Sequence, residues 1–357
     1  DLSPLLGHWS LLKAGEWDLA WARDLTAGIN WLRPFGPLAL LAAAVVGWVI
    51  TRRASQGRRW LLAGTAIVLL LASAVMLANL PVPEDDWSLG CEALSTMLQE
   101  MANPNDALVV DFLPYSDHYG RAATLLDWYK ADPAYWGWIR QEPVSEERQR
   151  VLESLVQEHQ RLWLVLDSTP EGDPASATEQ WLDEHAFRVE SLWLSPAMRL
   201  VRYQLFAGDL EETPHTRLDL RRGDRVILEG YSAFGPEGVQ AGEVASFTLF
   251  WRAEQPVEQR YTVFLQLLDQ EGRLRAQVDR QPVGGFRPTE SWHPGELIRD
   301  NYGLALPSDL PPGEYQLVAG LYLPPNQERL MSSTIDGVTL GDYAPLTAVV
   351  VVGSDRP

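Results

Sequence analysis

Two aspartates have the positions that best suit acid–base or metal chemistry. Asp111 and Asp167 each end a predicted apolar strand, and open α/β proteins bind ligands at the carboxyl ends of their parallel strands. Tyr115 and His118 follow Asp111 closely. Two carboxylates and a histidine could hold a metal ion or exchange protons, whereas the structural alternative is helix capping or turn stabilisation. We expect a ligand site here and assign no catalytic residue and no metal ligand.

Tryptophans form the second group of candidate ligand-binding residues. Residues 128–138 hold five aromatic side chains, including Trp136 and Trp138, and Trp292 lies in a Gly/Pro-rich loop. Exposed aromatic rings stack on sugar rings or enter the membrane interface. Buried, the same rings would belong to the core, and Trp292 would plug one end of a sandwich. Both interpretations stay open from the sequence.

The elements that must position the two aspartates alternate between helix and strand. This order predicts a small, mostly parallel, Rossmann-like α/β domain over residues 91–207, with its last two strands paired as a hairpin. No Gly-x-Gly-x-x-Gly motif follows a strand, so no dinucleotide cofactor is expected. The predicted helices are 92–101, 144–160 and 177–185, and the predicted strands are 107–111, 162–166, 187–194 and 198–206.

After a linker at 208–216, the pattern changes to the two-residue period of strands. Short strands separated by Gly/Pro turns predict an antiparallel β-sandwich over residues 217–353, followed by a tail at 354–357. Residues 269–272 have the composition of a hairpin turn. The inward-facing set of one strand is predicted to be Tyr315, Leu317, Ala319 and Leu321.

Two apolar segments within residues 34–80 predict a transmembrane hairpin. The second segment, residues 60–80, has no charged residue and would form roughly 30 Å of helix, enough to cross a bilayer. The loop at 51–59 carries four arginines and no acid, which predicts that it is cytoplasmic. Residues 1–33, read as an amphipathic juxtamembrane segment, and the chain after a linker at 81–90 would therefore be extracytoplasmic.

The charge of the chain excludes one class of partner. The first 90 residues carry seven acidic and seven basic side chains, so the whole net charge of −19 lies in the predicted soluble part. A surface this acidic repels nucleic acid and anionic lipid headgroups.

The single cysteine, Cys91, excludes an internal disulfide and a Cys-x-x-Cys redox pair, and we read it as a small core residue.

The order of these parts resembles a known family. The phrases LSTMLQEMANPNDALVVDF, FTLFWRAEQPVEQRYTVFLQLLDQEG and ESWHPGELIRDNYGLALPSDLPPGEYQLVAGLY follow an apolar segment and an acidic linker. They resemble the C-terminal portion of bacterial GT-C-class membrane glycosyltransferases, a group that includes protein mannosyltransferases and aminoarabinose transferases. The resemblance implies a polyprenyl-phosphate sugar donor for an intact enzyme. The family's catalytic carboxylate matches no residue of this chain, and neither Asp18 nor Asp24 is assigned to it.

Two functions follow as hypotheses. In the first, the chain is the C-terminal region of a glycosyltransferase in the bacterial cytoplasmic membrane, and its extracytoplasmic domains aid acceptor or glycan recognition. In the second, it is a non-enzymatic, membrane-anchored envelope protein that binds a glycan or scaffolds a membrane complex. The lipid bilayer is an expected partner in both, and a glycan or other membrane helices are further candidates.

Overall fold

The computed structural model describes four ranges of the chain. The predicted transmembrane helices at 34–80 and the amphipathic segment at 1–33 lie outside them. Within the described ranges, no helix is long and apolar enough to cross a membrane. The described residues are 86–113, 134–140, 143–168 and 176–353.

A five-stranded sheet forms the α/β part. Strand β1 (Ala107–Phe112) pairs in parallel with both β2 (Ala134–Ile139) and β3 (Arg161–Asp167). Strand β5 (Met198–Gln204) pairs antiparallel with β3 and with β4 (Phe187–Ser195). Four of the five strands therefore point the same way, and the predicted hairpin of the last two strands is confirmed.

Helices cover both faces of this sheet. Helix α1 (Asp86–Met101) packs on the face that contains Leu108, whereas α2 (Glu146–Glu158) and α3 (Ala177–His185) pack on the face that contains Val109. These two faces follow from the alternation of side chains along β1. Serine hydroxyls just before α2 and α3 accept a backbone N–H of the first turn, as N-caps do.

Two details of the sequence prediction are corrected here. The first is the linker predicted at 81–90, because α1 begins at Asp86 and Trp87 already packs in the core. The second concerns the aromatic segment 128–138, whose end belongs to the unpredicted strand β2. Cys91 is buried beside Trp87, as expected for a small core residue.

The rest of the described chain is an antiparallel β-sandwich, as predicted. One sheet has the order β16-β15-β6-β7-β9-β12 and the other β11-β10-β13-β17-β8. Two short 3-10 helices, Pro282–Gly285 and Thr289–Ser291, lie between β11 and β12. The strands are β6 (Thr216–Arg222), β7 (Val226–Phe234), β8 (Gly238–Gln240), β9 (Val244–Ala253), β10 (Thr262–Leu268), β11 (Leu274–Arg280), β12 (Leu297–Ala305), β13 (Gly313–Leu323), β14 (Glu328–Arg329), β15 (Ser332–Ser333), β16 (Thr339–Gly341) and β17 (Ala344–Val352).

The core of the sandwich lies between the two sheets. The predicted inward-facing set of β13 is confirmed, since all four side chains are buried in this core: Tyr315, Leu317, Ala319 and Leu321. The predicted hairpin turn is also present, because the Gly272 N–H donates to the Asp269 carbonyl oxygen at 2.9 Å.

The α/β sheet and the sandwich share one continuous sheet of eleven strands. The connection is a parallel pairing of β12 with β4 at Tyr302 and Arg188. The α/β part and the sandwich therefore belong to a single structural unit, residues 84–357.

Candidate functional site

The carboxyl ends of β1, β2 and β3 meet at one edge of the sheet, which we call the carboxyl edge. Asp111, Arg140 and Asp167 lie there, each at or just after the end of one of these strands. All three residues are buried. The structure thus brings the two predicted aspartates to the same edge, and it adds an arginine that the sequence reading did not single out.

Arg140 joins the ends of all three strands. Its Nε donates to Asp111 Oδ2 at 3.1 Å. Its Nη2 donates to the backbone carbonyl oxygens of Asp111, at 3.3 Å, and of Asp167, at 3.1 Å. The guanidinium therefore neutralises a buried carboxylate and satisfies two strand-end carbonyl groups at once.

Asp111 has the most unusual environment of the predicted site residues. Its Oδ2 also accepts the Ser176 hydroxyl at 2.5 Å, while its Oδ1 is buried and has no hydrogen-bond partner among the described residues. Burial raises the pKa of Asp111 above its ordinary value, although Arg140 and the Ser176 hydroxyl act in the opposite direction. Ser176 is also the N-cap of α3, so this carboxylate links β1 to the start of that helix.

Asp167 has the role of a turn-stabilising residue. Its Oδ2 accepts the backbone N–H of Leu113 at 3.2 Å, which fastens the end of β3 to the residue that follows β1. This contact matches the structural alternative for an aspartate at a strand end.

Tyr115 and His118 lie outside the described residues. Among the described residues, no group of three or more His, Cys, Asp or Glu side chains could hold a metal ion.

Two of the three candidate tryptophans are core residues. Trp138 is buried; its Nε1 donates to Thr178 Oγ1 at 3.3 Å, and the Arg148 guanidinium lies 5.5 Å from its ring centroid. Trp292 is buried at one end of the sandwich, where its Nε1 donates to the Arg287 carbonyl oxygen at 2.8 Å. The core alternative therefore holds for both residues.

Trp136 differs, because it is half-buried and lines a surface groove. The groove has a volume of about 310 Å³ and lies beside α2. Glu147, Arg150 and Ser154 supply polar groups around the indole, and Val151 adds an apolar wall. Of the three candidate tryptophans, Trp136 is thus the one whose ring lines a cavity together with side chains that can form hydrogen bonds.

A larger buried polar cluster, which the sequence reading missed, lies between α3 and the sheet. The Arg188 guanidinium donates from Nε to Asp183 Oδ1 at 2.7 Å and from Nη2 to Glu179 Oε1 at 2.6 Å. Arg199 binds both oxygens of Glu179, and the Tyr203 hydroxyl donates to Asp183 Oδ1 at 3.1 Å. The cluster could have been predicted from Glu179 and Asp183, because these two acids lie four residues apart on a helix face that must be buried.

The two acids of this cluster have pKa values that are shifted in opposite directions. Burial raises the pKa of Asp183, and Arg188 only partly opposes it. For Glu179, burial acts in the same direction, but Arg188 and Arg199 together hold its pKa below the ordinary value. Glu179 is therefore the firmly ionised member, because two guanidinium groups bind it.

The cluster continues into the sandwich through β12. Asn301 Nδ2 donates to the Asp183 carbonyl oxygen at 3.1 Å, and Arg280 Nη1 donates to the Arg188 carbonyl oxygen at 2.9 Å. Gly284 approaches the same acid so closely that a Cβ at this position would lie 2.0 Å from Asp183 Oδ2. Contacts from β11, β12 and the turn between them thus converge on α3 and β4.

Asp300 is a third buried acid of this junction. It is fully buried, accepts the Val283 N–H at 2.8 Å on Oδ1, and accepts the Tyr302 hydroxyl at 2.5 Å on Oδ2. Burial raises the pKa of Asp300 to about 6, although Arg280 and the Tyr302 hydroxyl lower it. A carboxyl group in this position changes its charge within the range of pH at which proteins are handled.

Comparisons with known proteins leave the chain without a family. No family model and no curated protein matches it. Among solved structures, the chain is similar to the C-terminal domain of Wzt, with 15% identity and a TM-score of 0.28 over 42% of this chain and 89% of that one. The chain is also similar to a CARDB domain from Pyrococcus furiosus, in complex with di-metal ions, with 15% identity and a TM-score of 0.22 over 41% of this chain and 100% of that one.

A third similarity is to a Bacteroides uniformis β-glucuronidase, with 10% identity and a TM-score of 0.21 over 40% of this chain and 19% of that one. Identities and scores this low carry no argument about function. The β-sandwich described above stands on its own strand pairings.

Replacing Arg140 should destabilise the fold strongly at neutral pH. Arg140→Met leaves the Asp111 carboxylate buried without its cation, which typically costs about 3–5 kcal/mol. The loss should shrink as the pH falls, because a protonated Asp111 needs no counter-charge. Urea unfolding of the full chain in detergent, followed by circular dichroism at pH 7.5 and pH 5, measures both effects.

Arg217→Met is the matched control for this substitution. Arg217 is 68% exposed and pairs with Asp219 at 2.7 Å, and an exposed pair of this kind contributes little to stability. Equal losses for the two variants would contradict the role given to Arg140.

Replacing Asp300 should stabilise the fold above pH 6. The folded-state pKa of about 6 exceeds the ordinary value of 3.8. Between pH 3.8 and about 6, the folded chain therefore binds more protons than the unfolded chain. The stability contributed by that proton is complete below pH 3.8 and is lost as the pH rises through about 6. The difference corresponds to roughly 3 kcal/mol. Asp300→Asn keeps the shape, its Oδ1 can still accept the Val283 N–H, and its Nδ2 can donate to the Tyr302 hydroxyl oxygen. This neutral side chain should avoid the loss.

The measurement is the free energy of unfolding from pH 4 to pH 7.5 for the wild type, Asp300→Asn and a control. Asp309→Asn is the control, because Asp309 is exposed and lies only nine residues away. A pH profile that Asp300→Asn shares with the wild type would show that Asp300 is not the titrating group.

Proposed function

We propose that the chain is the C-terminal region of a membrane glycosyltransferase of the GT-C class, and that its extracytoplasmic domains recognise a glycan or the acceptor. The supporting sequence features are the apolar segments within 34–80, the arginine-rich loop at 51–59 and the phrases that resemble that class. In this proposal, the sugar arrives on a polyprenyl phosphate, and the described residues supply recognition rather than the reacting group.

The observation that carries the recognition role is the groove at Trp136. An indole face packs against the C–H face of a sugar ring. Glu147 can accept hydrogen bonds from sugar hydroxyl groups and Arg150 can donate to them. The Ser154 hydroxyl donates to Glu158 Oε1 at 2.7 Å, so its oxygen is left to accept. The volume of about 310 Å³ lies at the lower limit for ligand pockets, which favours one or two sugar residues over a long chain.

The electrostatics of the chain favour some glycans over others. The net charge of −19 repels anionic saccharides at long range. Glu147 and Arg150 give the groove itself one group of each sign. We therefore expect a neutral or amino sugar as the bound group.

One observation favours the second hypothesis, a non-enzymatic scaffold in the envelope. Strands β15 and β16 and their flanks expose five large apolar side chains within thirteen residues. Such a patch is typical of surfaces that another protein covers. The exposed residues are Met331, Ile335, Val338, Leu340 and Tyr343.

The two hypotheses differ in chemistry, so a transfer assay separates them. Membranes that contain the full-length gene product are given a radiolabelled polyprenyl-phosphate sugar and a membrane extract as acceptor. Transfer of label above that of membranes lacking the protein supports the glycosyltransferase. Absence of transfer, with glycan binding retained, supports the scaffold.

Replacing Trp136 should weaken glycan binding by the groove. Loss of one aromatic platform removes about 1 kcal/mol of stacking and the burial of its ring face, so we expect at least a roughly tenfold weaker affinity for Trp136→Ala. A glycan array with the detergent-solubilised full chain identifies the ligand, and calorimetry with that ligand measures the affinity. Trp136→Phe should retain part of it.

Trp181→Ala is the matched control. Trp181 is also half-buried against the core of the α/β part and also contacts a histidine ring, His185, as Trp136 contacts His159. It does not line the Trp136 groove. Equal losses for both alanine variants, or a wild-type chain that binds no glycan on the array, would remove the recognition role.

A further inference from the structure

The first turn of α1 lies at the carboxyl edge of the α/β sheet. The rings of Trp87, in the first turn of α1, and Phe112, the last residue of β1, lie with their centroids 5.6 Å apart. Gly90 packs so tightly that a Cβ on it would lie 2.8 Å from Met198 Cβ and 2.9 Å from Ser195 Oγ. Ser195 and Met198 are the paired residues at this end of β4 and β5. The start of α1 is therefore fixed to this edge.

Large apolar side chains are exposed at the same place. Leu89 lies beside Gly90 and is 41% exposed, while Leu192 and Trp193, near the end of β4, are 36% and 54% exposed. Earlier in the same strand, Phe187 and Val189 are buried. The apolar character of β4 thus continues into a part of the strand whose side chains are not buried.

These side chains flank the edge on both faces of the sheet. Leu192 is opposite Leu200, which packs on the α1 face, whereas Trp193 is opposite Arg199, on the α3 face. A partner that covered one face only would leave one of them exposed. A surface that meets the sheet end-on can cover both.

The sequence places a membrane segment directly before this edge. The uncharged run at 60–80 ends six residues before Asp86, and six extended residues reach at most about 20 Å. A run that crosses the bilayer therefore holds the start of α1 within that distance of its surface. Trp and Leu are side chains that enter the lipid–water boundary.

We propose that the carboxyl edge of the α/β sheet rests on the outer lipid–water interface of the membrane, where Leu89, Leu192 and Trp193 insert. The inference rests on the proposed anchoring by residues 60–80. Acidic residues in the adjoining sequence, among them Asp85 and Glu92, repel anionic headgroups. The matching surface is therefore a zwitterionic one, bound through apolar contact.

Site-specific labelling of the full chain tests this contact. Cys91 is the only cysteine and is buried, so a Cys91→Ala background accepts a single new cysteine. Trp193→Cys carries the environment-sensitive fluorophore NBD, and the chain is placed in phosphatidylcholine nanodiscs with and without doxyl-labelled lipid. We expect a blue-shifted NBD emission and about twofold or stronger quenching, since interfacial side chains reach roughly 5–10 Å into the headgroup and acyl boundary.

Glu258→Cys is the control position. Glu258 follows β9, whose end pairs with the start of β12, and β12 runs parallel to β4. It therefore lies towards the end of the unit opposite the carboxyl edge, and its side chain is 79% exposed. The NBD label at this position should emit as in water and show no quenching. If the Cys91→Ala background unfolds, the wild-type background serves, because the buried thiol is protected from the label.

Two outcomes would overturn the inference, and they differ in what else they remove. Equal emission and quenching at positions 193 and 258, with the chain incorporated in the discs, refutes the contact and leaves the anchoring intact. Failure of the chain to incorporate into discs, or its release from membranes by alkaline carbonate, refutes the proposed anchoring and the contact together. The Trp136 glycan assay in detergent is independent of both outcomes.

Discussion

The burial of one guanidinium group, that of Arg188, constrains the rest of the described structure. A cation without solvent needs fixed acidic partners, and α3 supplies Glu179 and Asp183 from consecutive turns of one face. The position of α3 on the sheet is thereby set. At the same residue, β4 pairs with Tyr302 of β12, so the neutralised arginine lies at the point where the α/β sheet becomes continuous with the sandwich.

This arrangement contributes position more than stability. Apolar side chains of similar volume would satisfy the same space with less desolvation. An ion pair, however, tolerates few alternative registers, and a β-sheet that slips by one residue turns every side chain to the wrong face. Asn301 adds a second directional constraint, because its amide donates to the carbonyl oxygens of Asp183 and Glu184. We infer that the polar junction selects one pairing of β4 with β12.

Local pattern was enough to predict β1 and the inner face of β13 but not this junction. The alternation that ends in Leu321 identified the inner face of β13, and the apolar run at 107–111 identified β1, since both depend on neighbours in sequence. β2 was missed because the aromatic segment at 128–138 shows no strand pattern, and Gly137 is a residue type that is depleted in strands. The partners of Arg188 in β12 come from more than a hundred residues away, and no periodicity encodes such a contact.

The same distinction explains what could be predicted of the candidate site. The strand-end positions of Asp111 and Asp167 follow from strand assignment alone, whereas the role of Arg140 depends on β2 lying next to β1. That pairing favours the structural interpretation of Asp111, because it places the Arg140 guanidinium against the Asp111 carboxylate.

The contacts at the carboxyl edge fix the position of the Trp136 groove, which bears on the proposed function. The Trp136 groove lies on β2 and α2, which share a core with β1 and β3, and α1 is fixed to the ends of those strands. If the edge rests on the bilayer as proposed, a sugar in the groove is held at a constant height above the lipid surface. A lipid-linked donor reacts only near that surface, so a recognition site of fixed height restricts which hydroxyl groups of an acceptor reach it.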